Sequence, residues 1–344
     1  MKIFNAQLTR EADNYTIQHE PISSIDLMER AATGAANKIL KIYPEKNSYI
    51  IFAGPGNNGG DGLVIARLFA EMNISVELYI LSFTINYSED FSHNLKRLKV
   101  LNDVKIIYYD SPEDFPDINS KDIIIDAIFG SGLTRSLKGF PKAVVNKINE
   151  SDVDVISIDI PSGLFGEENQ HKNQTIVKAT HTLSFQYPSL SFLFPENEFY
   201  VGQFHLIDIG IHKDLIERTE SSYYYLKDED IQLKKRTKFS HKGNYGHALI
   251  IAGSTGKAGA SVLAVKAAHR AGAGLVTAHV PKMNVDIIHI SSPETMLKID
   301  SNETFLTDMP ETEQFSAVGI GPGIGFENKT LKVLSYIIDH FKYP

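Results

Sequence analysis

The sequence predicts two consecutive α/β units, each built around a parallel sheet. Short apolar runs recur along the chain with helical patterns between them, which is typical of βαβ units. Two of these runs, residues 50–53 and 247–252, are each followed by a glycine-rich segment and then by a helical pattern. The chain has 344 residues, which is enough for two domains.

In the first unit, residues 5–41 predict two helices separated by Pro21, with Ser23 or Ser24 as the N-cap of the second helix. A helical pattern begins at Leu63, and another covers residues 88–101. Strands are predicted over residues 50–53, 75–81, 104–109, 122–130, 153–164, 179–185 and 202–211. This alternation favours a Rossmann-like, three-layer αβα domain.

The second unit repeats the pattern on a smaller scale. It has predicted strands at residues 247–252, 275–280 and 316–325, and predicted helices at 260–270 and 329–341. A polar, charged stretch precedes it, so we place the junction within residues 215–230. The predicted domains are 1–222 and 223–344.

Composition excludes several classes of protein. The net charge of −8 argues against a nucleic-acid-binding surface, and the absence of cysteine excludes disulfides, thiolate nucleophiles and cysteine-based metal sites. The first residues are amphipathic and carry Arg10, Glu11 and Asp13, unlike a signal peptide. No apolar run approaches the length of a membrane span. We expect a cytoplasmic protein that binds neither membranes nor nucleic acid.

Residues 54–62, with the sequence GPGNNGGDG, join the first strand to its helix. We expect a loop there, because glycines permit positive φ and let the backbone approach a ligand closely. A loop and helix N-terminus at this edge of a sheet suit an anion such as phosphate. A tight turn without a ligand is the alternative, but turn formation does not require Asn57, Asn58 and Asp61. No Gly-Lys-Ser/Thr follows, so this is not a Walker sequence.

Asp126 and Asp159 each lie near the end of an apolar run. In an open parallel sheet, the carboxyl ends of the strands converge on the crevice where ligands bind. Either aspartate could instead cap a following helix. Two of them beside the asparagine-rich segment favour a binding site.

These motifs together resemble the NAD(P)H-hydrate epimerases. GPGNNGGDGLVIARLF resembles the family's signature segment, DAIFGSGLTRSLKG (residues 126–139) its second motif, and IDIPSGL (residues 158–164) its third. The resemblance covers about the first 220 residues. It implies epimerisation at C6 of hydrated NADH or NADPH, and a homodimer formed through this domain.

The resemblance also implies roles for individual residues. Asp159 matches the carboxylate that faces the nicotinamide ring, and we assign it the acid–base role. Three oxygen-bearing residues match positions that bind a monovalent cation, usually potassium: Asn58, Asp126 and Ser162. We expect Asp126 to be ionised and to hold this cation. The residues matching the two substrate-binding segments are Asn57, Asn58, Gly59, Gly60 and Asp61, and Gly130, Ser131, Gly132, Leu133, Thr134, Arg135 and Ser136.

The second unit resembles the opening of the ADP- or ATP-dependent NAD(P)H-hydrate dehydratases, which have a ribokinase-like fold. The resemblance rests on KGNYGHALIIAGSTGKAGASVLAVKAAHRAGAGLVT and on VGIGPGIG at residues 318–325. It implies that Ala260 and Gly323 contact the hydrated nucleotide, and that Mg²⁺ accompanies ADP or ATP. The family's later motifs do not occur, so we expect an incomplete domain that does not dehydrate by itself.

Two other functions are open to a sequence of this kind. An NAD(P)-dependent oxidoreductase is disfavoured, because GPGNNGGDG is not GxGxxG and no acidic residue ends the second strand. A nucleotide-sensing or scaffold module of the same fold is the second alternative. Such a protein is expected to lose the polar site residues, but Asn58, Asp61, Asp126 and Asp159 are all present.

Overall fold

The structure is a computed structural model that describes residues 1–46, 48–101, 104–167, 174–231 and 235–342. It divides into two compact units, Met1–Ile231 and Gln232–Pro344. Within the described ranges, no helix is both long and apolar enough to cross a membrane.

Seven parallel strands form the sheet of the first unit. The strands are β1 (Ser48–Ala53), β2 (Ser75–Leu81), β3 (Lys105–Tyr109), β4 (Ile123–Ala127), β5 (Val155–Ile158), β6 (His181–Phe185) and β7 (Gln203–Ile207). Their order across the sheet is β3-β2-β1-β4-β5-β6-β7, and every neighbouring pair is parallel. All the strands therefore end at one edge, as the sequence predicted.

Helices cover both faces of this sheet. They are α1 (Ala6–His19), α2 (Ser24–Ile42), α3 (Asn57–Glu71), α4 (Glu89–Leu101), α5 (Gly139–Glu150), α6 (Glu198–Val201) and α7 (Lys213–Arg218). Along β1, Ile51 belongs to the core on the side of α2 to α4, while Ile50 and Phe52 belong to the core on the side of α5. Burial on both faces explains why the strands are apolar runs, and the predicted three-layer fold is confirmed.

The prediction that residues 54–62 form a loop is wrong, because α3 already begins at Asn57. None of the glycines in this segment has a positive φ. They are needed for close packing: a Cβ on Gly59 would lie 1.8 Å from the carbonyl oxygen of Gly54, and a Cβ on Gly62 would lie 2.8 Å from the Cβ of Ala127. The glycines therefore allow the first turns of α3 to pack directly against β1 and β4.

Strand β5 is shorter than the predicted 153–164, because Asp159 has a φ of +66°. This left-handed conformation takes the chain out of the sheet directly after Ile158. The side chains that follow are thereby turned out of the regular strand alternation.

The N-terminus of the first unit pairs with residues 223–225. The amide of Tyr225 donates to the carbonyl of Met1 at 2.8 Å, and the amide of Ile3 donates to that of Tyr223 at 3.0 Å. These residues therefore lie in the first compact unit, and the domain division at residues 222/223 stays a prediction.

The second unit contains a four-stranded parallel sheet. Its strands are β8 (His247–Ile251), β9 (Leu275–Val280), β10 (Met296–Ile299) and β11 (Ala317–Ile320), in the order β10-β9-β8-β11. Its helices are α8 (Ala258–Arg270), α9 (Val285–Ser291) and α10 (Asn328–His340). The predicted parallel α/β architecture is confirmed here too, although the sequence did not predict α9 or β10.

Candidate active site

A cavity of about 730 Å³ opens at the carboxyl edge of the first sheet. Helices α1 and α2 form one side of it, and the segments that follow β1, β4, β5, β6 and β7, with Asp90 of α4, form the rest. The predicted site residues that line the cavity are Asn57, Asn58, Asp61, Gly130, Ser131, Gly132, Leu133 and Asp159. Those that do not line it are Gly59, Gly60, Thr134, Arg135, Ser136, Asp126 and Ser162.

Two hydrogen bonds hold Asp159 at the cavity, one donated by its backbone amide and one accepted by its carboxylate. Its amide donates to the carbonyl of Leu183 at 2.7 Å, and its Oδ2 accepts from the amide of Ser131 at 2.7 Å. A Cβ on Gly130 would lie 2.7 Å from the same Oδ2. Glycine at position 130 therefore allows the carboxylate to approach the backbone.

Four carboxyl groups line this cavity: Asp13, Asp61, Asp90 and Asp159. Burial raises the pKa of Asp159, while hydrogen bonds from Ser131 oppose that rise. Burial also raises the pKa of Asp61 well above its usual range, and the charges of Asp159, Asp13 and Asp90 add to the effect. Burial and the charge of Asp159 together raise the pKa of Asp13 to about 7. The cavity therefore favours the protonated forms of Asp13, Asp61 and Asp159 more than water does.

Asp126 is the penultimate residue of β4, does not line the cavity and is fully buried. Its Oδ2 accepts from Ser157 Oγ at 2.8 Å and from the amide of Ser162 at 2.9 Å, and its Oδ1 accepts from Ser162 Oγ at 2.5 Å. Burial raises the pKa of Asp126, and the hydrogen bonds from Ser162 act against it. Among the described residues, no lysine, arginine or histidine forms an ion pair with Asp126.

The side-chain amide of Asn58 is a buried polar group without hydrogen-bond partners among the described residues. It is 8% exposed, and within the described part of the chain neither its Oδ1 nor its Nδ2 has a hydrogen-bond partner. Buried amides normally have partners, so an unpartnered one at a cavity indicates a ligand. The described residues contain no cluster of three acidic or histidine side chains that could hold a metal ion. A single carboxylate with amide and hydroxyl oxygens fits a singly charged hard cation better than a transition metal.

The N-terminus of α3 faces the cavity with its backbone N–H groups. Gly56 is the N-cap, and no side chain caps the helix. Arg10 lies beside the opposite segment, with one guanidinium nitrogen 3.0 Å from where a Cβ on Gly132 would be. A helix N-terminus and an arginine together provide positive charge for a phosphate group.

Sequence reasoning missed the cavity residues contributed by α1 and by the segment after β6. In the sequence, Arg10 and Asp13 indicate only that the N-terminus is unlike a signal peptide. Tyr187 lines the cavity and is 6% exposed, and its hydroxyl has no hydrogen-bond partner among the described residues. No local motif marks these residues; the mixed charges on an otherwise amphipathic α1 were the one available signal.

In the second unit, the structure brings together the two predicted contact residues. A Cβ on Gly323, which has a φ of +69°, would lie 2.9 Å from the Cβ of Ala260. Ser254 Oγ donates to the carbonyl of Gly323 at 2.7 Å. Ala260 lies after the carboxyl end of β8 and Gly323 after that of β11. These two strands are adjacent in the sheet.

Comparison with known proteins identifies a family for each unit. Residues 24–191 match the family described as YjeF-related protein N-terminus, and residues 248–342 match the NAD(P)H-hydrate dehydratase family. In the first unit, the fold resembles the crystal structure of the yeast protein ynu0, with a TM-score of 0.52 and 21% identity. That likeness covers 67% of this chain and 99% of the yeast chain.

Curated relatives match at higher identity. A bifunctional NAD(P)H-hydrate repair enzyme from Moorella thermoacetica is 30% identical over all of this chain and 68% of its own length. An NAD(P)H-hydrate epimerase from Lentilactobacillus buchneri is 36% identical over 60% of this chain and 93% of its own length. The chain spans between 60% and 68% of the length of the bifunctional relatives.

Proposed function

The chain belongs to the bifunctional NAD(P)H-hydrate repair enzyme family, and we propose that its first unit interconverts the R and S forms of hydrated NADH and NADPH. The observation that carries the proposal is Asp159, a fixed carboxyl with a raised pKa that is directed into a large cavity. General acid–base catalysis is most effective when the pKa of the group is near the working pH.

The substrate carries a hydroxyl on C6, next to the ring nitrogen N1. Inversion requires C6 to become planar for a short time. A protonated carboxyl donates its proton to the hydroxyl, the C6–O bond breaks, and water leaves with the bonding electron pair. The lone pair of N1 then forms the C6=N1 iminium. Water adds to the other face of C6 and gives its proton to a carboxylate, so atoms and charge balance. Asp159 is the carboxyl we assign to this chemistry.

The rest of the cavity supports this assignment. The N-terminus of α3 and Arg10 suit the substrate's phosphates, since both provide positive charge at the cavity wall. Asn58, Asp126 and Ser162 would hold a monovalent cation such as potassium, which when bound supplies positive charge beside the acidic cavity. Among the described residues, the amide of Asn58 has no hydrogen-bond partner and Asp126 has no ion-pair partner, and both observations support that proposal.

The second unit is the basis for a narrower proposal. Its match to the dehydratase family and the contact between Ala260 and Gly323 support a site for hydrated nucleotide there, used with ADP or ATP and Mg²⁺. The family match gives no support to the expectation that this region lacks dehydratase activity. That expectation, the homodimer and the cytoplasmic location stay predictions.

The experiment supplies mixed R and S hydrates of NADPH in potassium buffer. A separate dehydratase that consumes only the S form removes S, and the chain is then added. We expect R to disappear faster than its spontaneous inversion allows. Persistence of R would contradict the proposed function. Omitting the separate enzyme and adding ADP or ATP tests the second unit, where consumption of S would overturn the expectation of no dehydration.

A further inference from the structure

Asp13 lies in the same cavity as Asp159 but comes from a different wall. It is on α1, whereas Asp159 follows β5 in the sheet. Helix α1 is capped at its N-terminus and is hydrogen-bonded near its C-terminus to the segment before α7. Asn5 Oδ1 accepts from the amide of Leu8 at 2.8 Å, and Thr16 Oγ1 accepts from the amide of His212 at 3.1 Å. The carboxyl of Asp13 is therefore positioned by a packed helix.

From this arrangement we propose that Asp13 is the second catalytic carboxyl of the epimerisation, and that it works with Asp159 as a pair sharing one proton. The proposal rests on the proposed function of the first unit. It assigns to α1 a residue that takes part in the reaction.

The chemistry of inversion provides the reason for two carboxyls. Water leaves C6 from one face of the ring and adds to the other, so the two proton transfers occur on opposite faces. A single carboxyl on one wall can reach only one of them without the ring turning over. With one proton between them, one carboxyl donates to the departing hydroxyl while the other, ionised, accepts the proton of the incoming water. The next turnover in the reverse direction exchanges these roles.

The electrostatics of the cavity support a shared proton. Burial and the charge of Asp159 raise the pKa of Asp13 to about 7. The charged and titratable groups that face Asp13 are Asp159, Asp61 on α3, Tyr187 after β6, and Arg10 one turn earlier on α1. Three of these are acids or a phenol, and Arg10 is exposed at the rim. In one cavity, the negative charge of either carboxylate opposes ionisation of the other.

The test compares the full chain with three variants, Asp13→Asn, Asp13→Glu and Asp152→Asn. Asp152 is exposed and precedes β5 at the amino end of the sheet, so it is the matched control for loss of an aspartate. Consumption of the R hydrate gives kcat and KM from pH 5 to 9. We expect Asp13→Asn to lower kcat about 100-fold or more, with KM within about 3-fold of the unmodified value.

The pH profile separates catalysis from positioning. The unmodified chain is expected to give a bell-shaped dependence of kcat/KM, Asp13→Asn to lose one limb, and Asp13→Glu to keep both limbs. A kcat for Asp13→Asn within about 3-fold of the unmodified value would overturn the proposal. An unchanged two-limbed profile in that variant would overturn it too. If Asp13→Asn does not fold, a one-limbed profile in Asp13→Glu overturns it. An inactive unmodified chain would instead contradict the proposed function itself.

Discussion

Both units place aspartates near the carboxyl ends of parallel strands, but the surroundings of these aspartates differ. Asp300 in the second unit accepts from the amides of Asn302, Thr307 and Asp308 at 2.7–2.9 Å. Burial alone would raise the pKa of Asp300, but these hydrogen bonds outweigh it and lower the pKa. Asp159 in the first unit accepts from one amide, that of Ser131, and its pKa is raised.

The number of donors therefore distinguishes two kinds of carboxyl near the end of a strand. One that is surrounded by N–H groups is stabilised as an anion and serves the fold, because its proton is lost well below neutral pH. One with few donors keeps a proton available to a ligand. His279 Nε2 lies 3.2 Å from Asp300 in the second unit, and burial still lowers the pKa of this histidine. We therefore interpret the His279–Asp300 contact as part of the packing of the second unit, not as an acid–base pair.

Replacing either Asp159 or Asp300 with asparagine gives the largest predicted contrast between the two units. Asp159→Asn is expected to lower epimerisation about 10²–10⁴-fold and to leave the free energy of unfolding unchanged or increased. Asp300→Asn replaces acceptor oxygens with an NH₂ group facing backbone donors, so it is expected to destabilise the second unit by about 1–3 kcal/mol. Epimerisation by Asp300→Asn should stay at the unmodified rate. Turnover assays and urea denaturation measure both effects, and normal turnover in Asp159→Asn would contradict the assignment.

The glycines provide a second contrast, within one segment. Gly59→Ala puts a methyl group 1.8 Å from the carbonyl oxygen of Gly54, whereas a Cβ on Gly56 meets nothing within 4 Å. We expect Gly59→Ala to cost at least about 1–3 kcal/mol of stability, in the range of overpacked cores. Gly56→Ala, whose φ of −92° suits any residue, should cost less than about 0.5 kcal/mol. Equal stability of the two variants in urea denaturation would refute the packing explanation.

Tyr187 provides a third comparison, between a hydroxyl that lines the cavity and one that is exposed to solvent. Its buried hydroxyl is unpartnered in the described structure, so we expect it to bind the substrate. Tyr187→Phe should raise KM for the hydrate about 2–10-fold, the effect of one neutral hydrogen bond, with little change in kcat. Tyr223→Phe is the control, since Tyr223 is 55% exposed. An unchanged KM for Tyr187→Phe would argue against this contact.

The last prediction concerns the pH dependence of stability. Because the pKa of Asp13 is raised to about 7, the folded first unit binds more protons than the unfolded chain between pH 4 and 7. This contribution to stability is present at pH 4 and is lost as the pH rises to 7. The lowered pKa of Asp300 has the opposite effect: its contribution is present above pH 4 and is lost as the pH falls further. Denaturation of Asp13→Asn from pH 4 to 7 should show a flatter slope than the unmodified chain.

Much of the site was predictable because it depends on one rule of parallel sheets. Asn58, Asp61 and Asp159 follow strands that end at the same edge, so local sequence was sufficient to group them. Asp13 and Tyr187 could not be grouped in this way. Their positions depend on how α1 packs over the sheet and on the path of the chain after β6, and neither is encoded in a short segment.

The fold was predicted more completely than its local geometry. Buried apolar runs identified all seven strands of the first unit, but the pattern could not show that the chain leaves the sheet at Asp159. For the glycines of residues 54–62, the need for a close approach was predictable, but the group that is approached was not. Their spacing indicated a close approach, and only the packing shows that the approach is to Gly54 and β4 and that it occurs within a helix.

The left-handed backbone at Asp159 also limits how this protein can change over generations. At a φ of +66°, asparagine and glycine fit as well as aspartate does, while β-branched and large residues are disfavoured. A lineage that abandons the chemistry while keeping the fold therefore has few replacements to choose from at this position. We expect a saturation library selected only for folding to retain aspartate, asparagine and glycine here, whereas selection for turnover would leave aspartate alone.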